Sequence, residues 1–440
     1  MSKEKNTIAK PFFNTTIPRD WNTPEFGKVF SFLKSFSFSR DQLTNEKTID
    51  EIRNIHYGDI HATYQNEILD FEIEKAVPYL NDGLLSKENF DDLEFPALQD
   101  GDLIIADASE DYEGVCRCVE LRNLNKRKVV SGLHTFAARG KEEIIVLGFR
   151  TYALNNQQVV RELRRIATGT SVYGVSKTNL SQVKLPLPPL PEQRAIAYVL
   201  GLIDNSININ NQLIAQKELQ KKWLMQNLLT GKKRLKGFGG EWKVFQIEEL
   251  FKKVFRYVEW NDQHIYKLVS IRRRFGGLFE RGDFFGHQIE VKKIKSINYK
   301  DFLISKRQVS HGAWGIVKQE FHDRKVSDEY DCLVVKDNKK LLIEFWDWFC
   351  KIPLLRHYAY LASNGVHIEK LIFDFETFKR RKVFIPGTIE EQSAIAQVLQ
   401  AADKEIQLLK VKTEKLREQK KGMMQVLLTG KIRLKIKTMI

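Results

Sequence analysis

Apolar residues recur every three or four positions along two stretches of the chain. The first runs from Glu192 to about Lys236 and the second from Glu391 to about Lys435, and the two align without a gap, with about half of their positions identical. This spacing predicts one long helix per stretch with a narrow apolar seam. In the second stretch the seam consists of Ile395, Leu399, Ala402, Ile406, Leu409, Leu416, Met423 and Leu427.

The seam of the first stretch carries two polar interruptions. Asn210 and Lys217 align with Leu409 and Leu416 of the second stretch. Polar residues at single seam positions can specify the register of paired helices, so we interpret these two as register markers. The apolar members are Ile196, Leu200, Ile203, Ile207, Ile214, Leu224 and Leu228.

The ends of both predicted helices are marked by proline and glycine. Prolines cluster before the first stretch (Pro186, Pro188, Pro189, Pro191) and Pro386 precedes the second, while Gly231 and Gly430 stand near the far ends. Proline is tolerated at a helix start and glycine is common just past a helix end. About 36 helical residues give a rod of roughly 54 Å. A seam on so long a helix needs a partner helix, and the other copy is the obvious candidate.

The repeat extends to the regions before each helix. Trp21 is followed by Phe26 and Phe30, and Trp242 is followed by Ile247 and Phe251 in the same spacing. The chain therefore reads as module, helix, module, helix. The predicted segments are a polar lead-in (1–15), a first module (16–187), a first helix (188–236), a second module (237–387) and a second helix with a short tail (388–440).

Each module reads as mixed α/β. The apolar runs at 102–106 and 301–305 occupy matching places and predict buried strands, each followed by a polar loop. Two further strands are predicted at 143–147 and 332–335, and amphipathic helices at 157–165 and 341–350. Elsewhere the two modules differ, as expected of two modules that recognise different surfaces.

Charge and composition favour a polyanionic partner, nucleic acid first. The 440 residues carry a formal net charge of +15 and a sequence pI of about 9.4. No apolar run is long enough to cross a membrane, and the start lacks an apolar signal core, so we expect a cytoplasmic protein without membrane contact. The cysteines Cys116, Cys118, Cys332 and Cys350 form no metal-binding spacing and are expected to be reduced thiols.

The sequence shows no pattern typical of catalysis. Thr230-Gly231-Lys232 lacks the earlier glycine of a phosphate-binding loop, and a glycine-rich methyl-donor loop with its Asn/Asp-Pro-Pro-aromatic partner does not occur. Asp283 with Glu290-Val291-Lys292 resembles a nuclease arrangement but is better explained as a charged surface strand. We therefore predict a binding protein with no catalytic, cofactor-binding or metal-binding residue of its own.

Polar and basic loops in both modules are candidates for DNA contact. Arginine can pair with phosphates or take guanine bidentately, and short polar side chains on glycine-containing loops can reach base edges. For each single residue, a solvated surface position or a core position is an equally good interpretation. The candidates are His61, Thr63, Tyr64, His134, Arg139, Ser171 and Tyr173 in the first module, and Arg272, Arg273, Arg274, Lys306, Arg307, Ser310, His311 and Trp314 in the second.

Over nearly its whole length, the chain resembles the specificity subunit of type I restriction-modification enzymes. The resemblance rests on the run 186–196 (PLPPLPEQRAI), the Leu-Leu-Thr-Gly-Lys endings at 228–232 and 427–431, and the doubled plan. The second helix departs from it, because Pro386 stands there without further prolines.

The resemblance implies two globular target recognition domains separated by two long antiparallel, coiled-coil-like helices with an internal pseudo-two-fold repeat. It implies a bipartite, asymmetric duplex DNA target and docking of two modification subunits that methylate adenine. Restriction subunits would join them. S-adenosylmethionine, ATP and Mg²⁺ would be bound by these partners and none by this chain. Helix-pairing and subunit contacts are then expected at Gln193, Ile196, Leu200, Ile203, Ile207 and Leu228, and at Gln392, Ile395, Leu399, Ile406, Leu409 and Leu427.

Two other functions stay open on sequence alone. One is an enzyme chain that combines endonuclease and methyltransferase activity, which an assay of methyl transfer by the purified chain would reveal. The other is a coiled-coil adaptor whose basic modules bind RNA or protein. A steep dependence of duplex DNA affinity on salt would argue against the adaptor.

Overall fold

A computed structural model describes residues 9–64, 66–74, 76–84, 98–367 and 370–434. The start of the predicted lead-in and Lys435 lie outside these residues. The chain divides into two compact units, residues 1–211 with 412–440 and residues 212–411. We refer to them as the first and the second unit.

The two predicted long helices are confirmed. They span Leu190–Leu228 and Ile389–Leu427, with 39 residues each, which corresponds to a length of about 58 Å. Each ends in a turn whose glycine has a left-handed backbone, with φ of 72° at Gly231 and 68° at Gly430. The glycines therefore terminate the helices as the sequence predicts.

The first module, in the first unit, is mixed α/β. Its helices are Phe26–Val29, Tyr57–Ala62, Arg150–Leu154, Gln157–Ile166 and Lys177–Ser181, with a 3-10 turn at Arg40–Gln42. Its strands are β1 (Ala9–Phe12), β2 (Thr15–Pro18), β3 (Phe30–Leu33), β4 (Leu43–Thr44), β5 (Arg53–Ile55), β6 (Ile68–Asp70), β7 (Tyr79–Leu80), β8 (Leu103–Ala106), β9 (Ala108–Ser109), β10 (Cys118–Arg122), β11 (Val129–Ser131), β12 (Thr135–Gly140) and β13 (Tyr173–Gly174).

The second module, in the second unit, has the same mixed composition. Its helices are Ile247–Leu250, Ile343–Phe349, Pro353–Leu361 and Phe375–Phe378, with 3-10 turns at Gly286–Gln288, Val309–His311 and Gln319–Phe321. Its strands are β14 (Trp242–Gln246), β15 (Phe251–Val254), β16 (Ile265–Ile271), β17 (Leu278–Phe285), β18 (Ile294–Ser296), β19 (Phe302–Ser305), β20 (Trp314–Ile316), β21 (Lys325–Ser327), β22 (Tyr330–Val335), β23 (Ser363–Asn364), β24 (Ile372–Phe373) and β25 (Lys382–Pro386).

The modules share a two-sheet frame. The order β3-β12-β8-β10-β6 in the first module corresponds to β15-β22-β19-β20 in the second. Each second sheet contains one parallel pair, β5 with β11 and β16 with β21. The strands predicted at 102–106, 301–305 and 332–335 are confirmed as β8, β19 and β22, and the helices predicted at 157–165 and 341–350 are present.

The strand predicted at residues 143–147 is wrong. This segment forms consecutive turns, in which the backbone N–H groups of Ile144 and Ile145 both donate to the carbonyl of Lys141. Ile145 is fully buried. A short apolar run cannot distinguish a buried turn from a buried strand, and here its backbone groups bond to the start of the first long helix instead of to a sheet.

Each unit has a core that joins its module to both long helices. Trp21, Ile196 and Leu427 are buried in one cluster of the first unit. Trp242, Leu228 and Ile395 are buried in the corresponding cluster of the second unit. The start of one helix and the end of the other therefore pack beside each module, which makes the helices antiparallel within each unit.

Candidate nucleic-acid interface

The Glu-Gln pair at the start of the first long helix ties three parts of the first unit together. The carboxylate of Glu192 accepts hydrogen bonds from Trp21 Nε1 at 3.3 Å and from the guanidinium of Arg433 at 2.5 and 2.6 Å. The side-chain oxygen of Gln193 accepts from the backbone N–H of Val146 at 3.0 Å. Both side chains are almost fully buried, so the motif is a junction between module, helix start and helix end.

The second unit repeats this junction with equivalent residues. Glu391 accepts from Trp242 Nε1 at 3.2 Å and from Arg234 Nη2 at 2.6 Å. The side-chain oxygen of Gln392 accepts from the backbone N–H of Leu342 at 2.8 Å. Hydrogen bonds to charged, desolvated groups are the strong ones. The bonding partners explain why the Glu-Gln motif occurs at both helix starts.

In the first unit the seam positions of the two helices are buried or half-buried, and a polar cluster lies among them. Buried Lys420 of the second helix bonds Asp204 of the first at 2.5 Å and also pairs with Glu67 of the module, and Tyr152 donates to Asp204 at 2.5 Å. Burial is the largest influence on the pKa of Asp204 and raises it, with Lys420 opposing. The predicted contact residues here are Gln193, Ile196, Leu200, Ile207 and Leu427, all buried, and Ile203, half-buried.

In the second unit the polar contacts along the seam lie nearer the surface. Lys221 pairs with Asp403 at 2.6 Å and Lys217 with Glu405 at 2.8 Å. The ion pair of Lys217 is compatible with a register marker, but that role stays a prediction, as it does for buried Asn210 in the first unit. The predicted contact residues here are Leu228, Gln392, Ile395, Leu399 and Ile406, all buried, and Leu409, half-buried.

Four segments of the first module make up what we call the first loop surface, residues 56–61, 107–112, 134 and 171–174. Short strands β9 and β13 pair and bring the loop of Tyr173 against Ser109. His61 Nε2 lies 3.1 Å from the carbonyl of Ala108. His134 Nδ1 lies 3.3 Å from Asp107 Oδ1, and burial raises the pKa of this aspartate. These residues are rich in imidazole, phenol and carboxylate groups and include no Arg or Lys, while Arg40 beside them pairs with the buried Asp59 at 2.7 Å.

The structure assigns different positions to the remaining candidates of the first module. Thr63 and Ser171 are exposed. Tyr64 is buried in the core behind β8, and burial raises the pKa of its phenol far above the usual range. Arg139 lies at the far end of β12 from His134 and binds Asp102 bidentately at 2.7 and 2.9 Å. Tyr64 and Arg139 are therefore not brought to the first loop surface.

The second loop surface consists of residues 272–277 and 306–312. The backbone N–H groups of Arg274 and Phe275 donate to the carbonyls of His311 and Gly312 at 2.8 and 2.9 Å. These bonds join the tip of the β16–β17 hairpin to the loop that follows β19. The structure thus unites two basic clusters that lie more than 30 residues apart in sequence.

The polar side chains of the second loop surface differ in how far they are engaged internally. Arg273 Nε donates to Gln308 Oε1 at 2.6 Å, Arg307 pairs with Glu329 at 2.7 Å, and Arg272 stacks over Phe279 at 4.5 Å. Lys306, Ser310 and His311 are half-buried, while Arg274 is exposed. Trp314 is 2% exposed and lies in the core, so it supports this surface from below and does not form part of it.

Sequence reasoning missed the neighbours that shape both surfaces. Tyr57 contacts the rings of His61 and His134 at 6.2 and 5.4 Å, and Gln308 orients Arg273. One feature of the sequence could have pointed to these neighbours: polar loops follow β8 and β19 at matching positions of the two modules. Equivalent loops on a repeated frame lie at the same edge of the sheet.

The part of the chain that the structure describes contains neither a metal-binding cluster nor a membrane-spanning helix. No cluster of three or more His, Cys, Asp or Glu side chains there could hold a metal ion. Among the same residues, no helix has the length and apolarity that a membrane crossing needs. The four cysteines are buried, and burial raises the thiol pKa of Cys116 to about 12.

Comparison with known families decides the class of the chain. The family model of the type I restriction modification DNA specificity domain matches residues 18–219 and again residues 239–418. The chain belongs to this specificity family. Both matches contain a module with most of its following helix, so the family assignment covers both copies of the repeated plan except the last turns of each helix.

Individual relatives agree with the family match. The type I restriction enzyme MjaVIII specificity subunit of Methanocaldococcus jannaschii is 22% identical over 98% of this chain and 97% of its own length. The "Putative type I restriction enzyme MjaX specificity subunit" of the same organism is 28% identical over 59% of this chain. That second alignment spans 62% of the relative's length.

Solved structures share the fold. A type I restriction-modification S subunit from M. genitalium has a TM-score of 0.54 at 12% identity and covers 98% of this chain and 100% of its own. A chain from a study of complex assembly and conformational transition of the type I R-M system has a TM-score of 0.53 at 14% identity, over 94% and 99%. The chain therefore shares the fold of these proteins, with two mixed α/β modules and two long helices.

Proposed function

We propose that the chain is the non-catalytic DNA-reading subunit of a type I restriction-modification complex and that each module reads one half of a split, asymmetric duplex target. The observation that carries the proposal is the presence of two chemically unlike loop surfaces on one repeated frame. Histidine, tyrosine and carboxylate groups dominate the first surface, and arginine and lysine dominate the second. Unlike surfaces of this kind should read unlike half-sites.

The long helices would set the distance between the two half-sites. A 39-residue helix spans about 58 Å, whereas one turn of duplex DNA spans about 34 Å. Within each unit, a buried glutamine side chain at the helix start bonds the backbone of the module. A fixed separation should make the number of unread base pairs between the half-sites invariant.

We further propose that the helices dock two modification subunits, which carry S-adenosylmethionine and methylate adenine. The first unit exposes Tyr198, Leu202 and Ile209 along its helical segment, and the second unit exposes Leu408 and Val411 along its own. Exposed apolar residues grouped on one element are typical of interaction surfaces. Restriction subunits that use ATP and Mg²⁺ would join the same assembly.

Exchange of one module tests the function. Residues 16–187 would be replaced by the first module of a relative, the hybrid would be expressed with the modification subunit, and methylated sites would be mapped. One half of the split motif should change while the other half and the spacing stay constant. A hybrid in which both halves or the spacing change would refute the assignment of one half-site to each module.

A further inference from the structure

The tip of the β16–β17 hairpin has a backbone that its sequence does not favour. The backbone N–H of Gly276 bonds the carbonyl of Arg273 at 3.2 Å, which closes a four-residue turn. Its central residues, Arg274 and Phe275, both have φ of 57°. Such turns are normally occupied by Asn-Gly or Gly-Gly, because side chains clash in the left-handed region. Gly276 is the last residue of the turn and Gly277 follows it, so glycine is present but does not occupy the two central positions.

The strained tip is held by the neighbouring loop. Its two central N–H groups bond the carbonyls of His311 and Gly312, and the Phe275 ring packs on Gly312 and lies 5.9 Å from the ring of Trp314. Gly312 has φ of 72°, and a Cβ there would lie 2.9 Å from the Phe275 ring. Backbone strain that persists because its surroundings impose it is typical of functional sites.

This arrangement holds the backbone of Arg274 in place and leaves its guanidinium group exposed. Of the four arginines on or beside this surface, Arg272 stacks on Phe279, Arg273 bonds Gln308 and Arg307 pairs with Glu329. Arg274 is exposed, and its guanidinium bonds no side chain among the residues that the structure describes. A free donor fork on a rigid tip has the geometry that bidentate recognition needs.

We propose that Arg274 is a base-reading residue of the second module and that it recognises guanine from the major groove through its O6 and N7 atoms. This inference rests on the proposed DNA-reading function and deepens it. A two-stranded ribbon fits the major groove, and arginine to guanine is the commonest specific contact there. Arg273 and Phe275 position the tip, while Lys306 on the adjoining loop supplies charge without a strained backbone.

The test uses the full chain with its modification subunit and compares the wild type with Arg274→Lys, Arg274→Ala and Lys306→Ala. Methylated sites are mapped, and relative affinities are measured for duplexes that differ at one base pair. The wild type should require guanine at one position of the half-site read by the second module. Both Arg274 variants should relax that position by about 10- to 100-fold and leave the other half unchanged. Lys306→Ala should weaken binding to all duplexes alike.

Arg274→Gly separates reading from folding. Glycine relieves the left-handed strain, so this variant should melt at the same or a higher temperature than the wild type while losing the same base preference. A lower melting temperature with an unchanged motif would show that Arg274 is structural and would overturn the inference.

Two further results would also overturn the inference. Suppose that the Arg274 variants bind every duplex more weakly by the same factor, and that the salt dependence of their affinity falls by the amount of about one phosphate contact. This result would show that Arg274 binds the DNA backbone and not a base. If the wild type methylates a split motif and all Arg274 variants keep it unchanged, the inference about Arg274 is wrong but the proposed function stands. If the wild type shows no split motif, the proposed function is wrong as well.

Discussion

Lys420 and Lys221 occupy the same place in the two copies of the helical repeat, yet their surroundings predict very different energetic roles. Lys420 is 8% exposed in its side chain and pairs with Asp204, which is equally buried. Lys221 is 25% exposed and pairs with Asp403, which is 37% exposed. The chain thus contains a matched pair of variants, Lys420→Ala and Lys221→Ala, that differ mainly in burial.

The expected magnitudes follow from that difference. Removing Lys420 leaves two carboxylates, Asp204 and Glu67, without their cation in a desolvated site, and breaking a buried pair in this way costs about 3–5 kcal/mol. Removing Lys221 breaks a pair that water already screens, which costs about 0–1 kcal/mol. Each lysine also lies over an aromatic ring, Lys420 over Tyr152 at 5.4 Å and Lys221 over Trp348 at 5.9 Å, so both variants lose such a contact.

Amide hydrogen exchange, read peptide by peptide, is the suitable assay because the two compact units need not unfold together. Lys420→Ala should speed exchange of the most protected amides of the first unit by roughly 100- to 4,000-fold, since each 1.4 kcal/mol is a factor of ten. Lys221→Ala should change exchange in the second unit by less than about tenfold.

A charge-free replacement provides the control for packing. Lys420→Met combined with Asp204→Asn and Glu67→Gln should restore most of the lost protection, because this combination leaves no unpaired charge in the buried site. Equal effects of Lys420→Ala and Lys221→Ala would refute the reasoning, because burial would then not decide the contribution of the pair.

Two further predictions concern the junctions and the interior of the first module. Burial raises the pKa of Glu120 from 4.5 to about 7, opposed by hydrogen bonds from two backbone N–H groups. The stabilisation that the protonated carboxyl contributes is therefore fully present below pH 4.5 and is lost as the pH rises through 7. In Glu120→Gln, the melting temperature of the first unit should depend less on pH over this range. Gly430→Ala should destabilise the first unit more than Gly231→Ala destabilises the second. Hydrogen exchange measured at increasing temperature would show the loss of stability in each unit. Both glycines have a left-handed backbone, which costs about 1–2 kcal/mol of folding free energy when the residue carries a side chain. The two sites differ in space, because a Cβ on Gly430 would lie 2.4 Å from Pro18 whereas one on Gly231 would lie 3.3 Å from Trp242.

The architecture could be predicted from sequence because repetition and periodicity encode it directly. The gapless repeat, the proline and glycine boundaries and the three-and-four spacing correctly predicted two long helices and two related modules. The run at 143–147 was misassigned because its burial serves the Gln193 junction, a contact between distant residues. The partners of Glu192 were likewise hidden, since Arg433 and Trp21 come from opposite ends of the chain. Those of Glu391, Arg234 and Trp242, lie 157 and 149 residues before it.

The candidate interface was less predictable, because residue type does not reveal where a side chain points. Tyr64 and Trp314 have the composition of contact residues but are buried, and Arg139 is engaged by Asp102. The composition of the 272–274 run does not distinguish its three arginines. Only backbone dihedrals and side-chain partners separate Arg274 from its neighbours.

Mapping of methylated bases in a cell that carries this chain with its modification subunit tests the central claim most directly. The account predicts methylated adenine in both halves of one split motif, with a constant number of unread base pairs between them, and loss of the motif when either module is deleted. A continuous motif, a variable gap, or a motif that survives deletion of a module would contradict it.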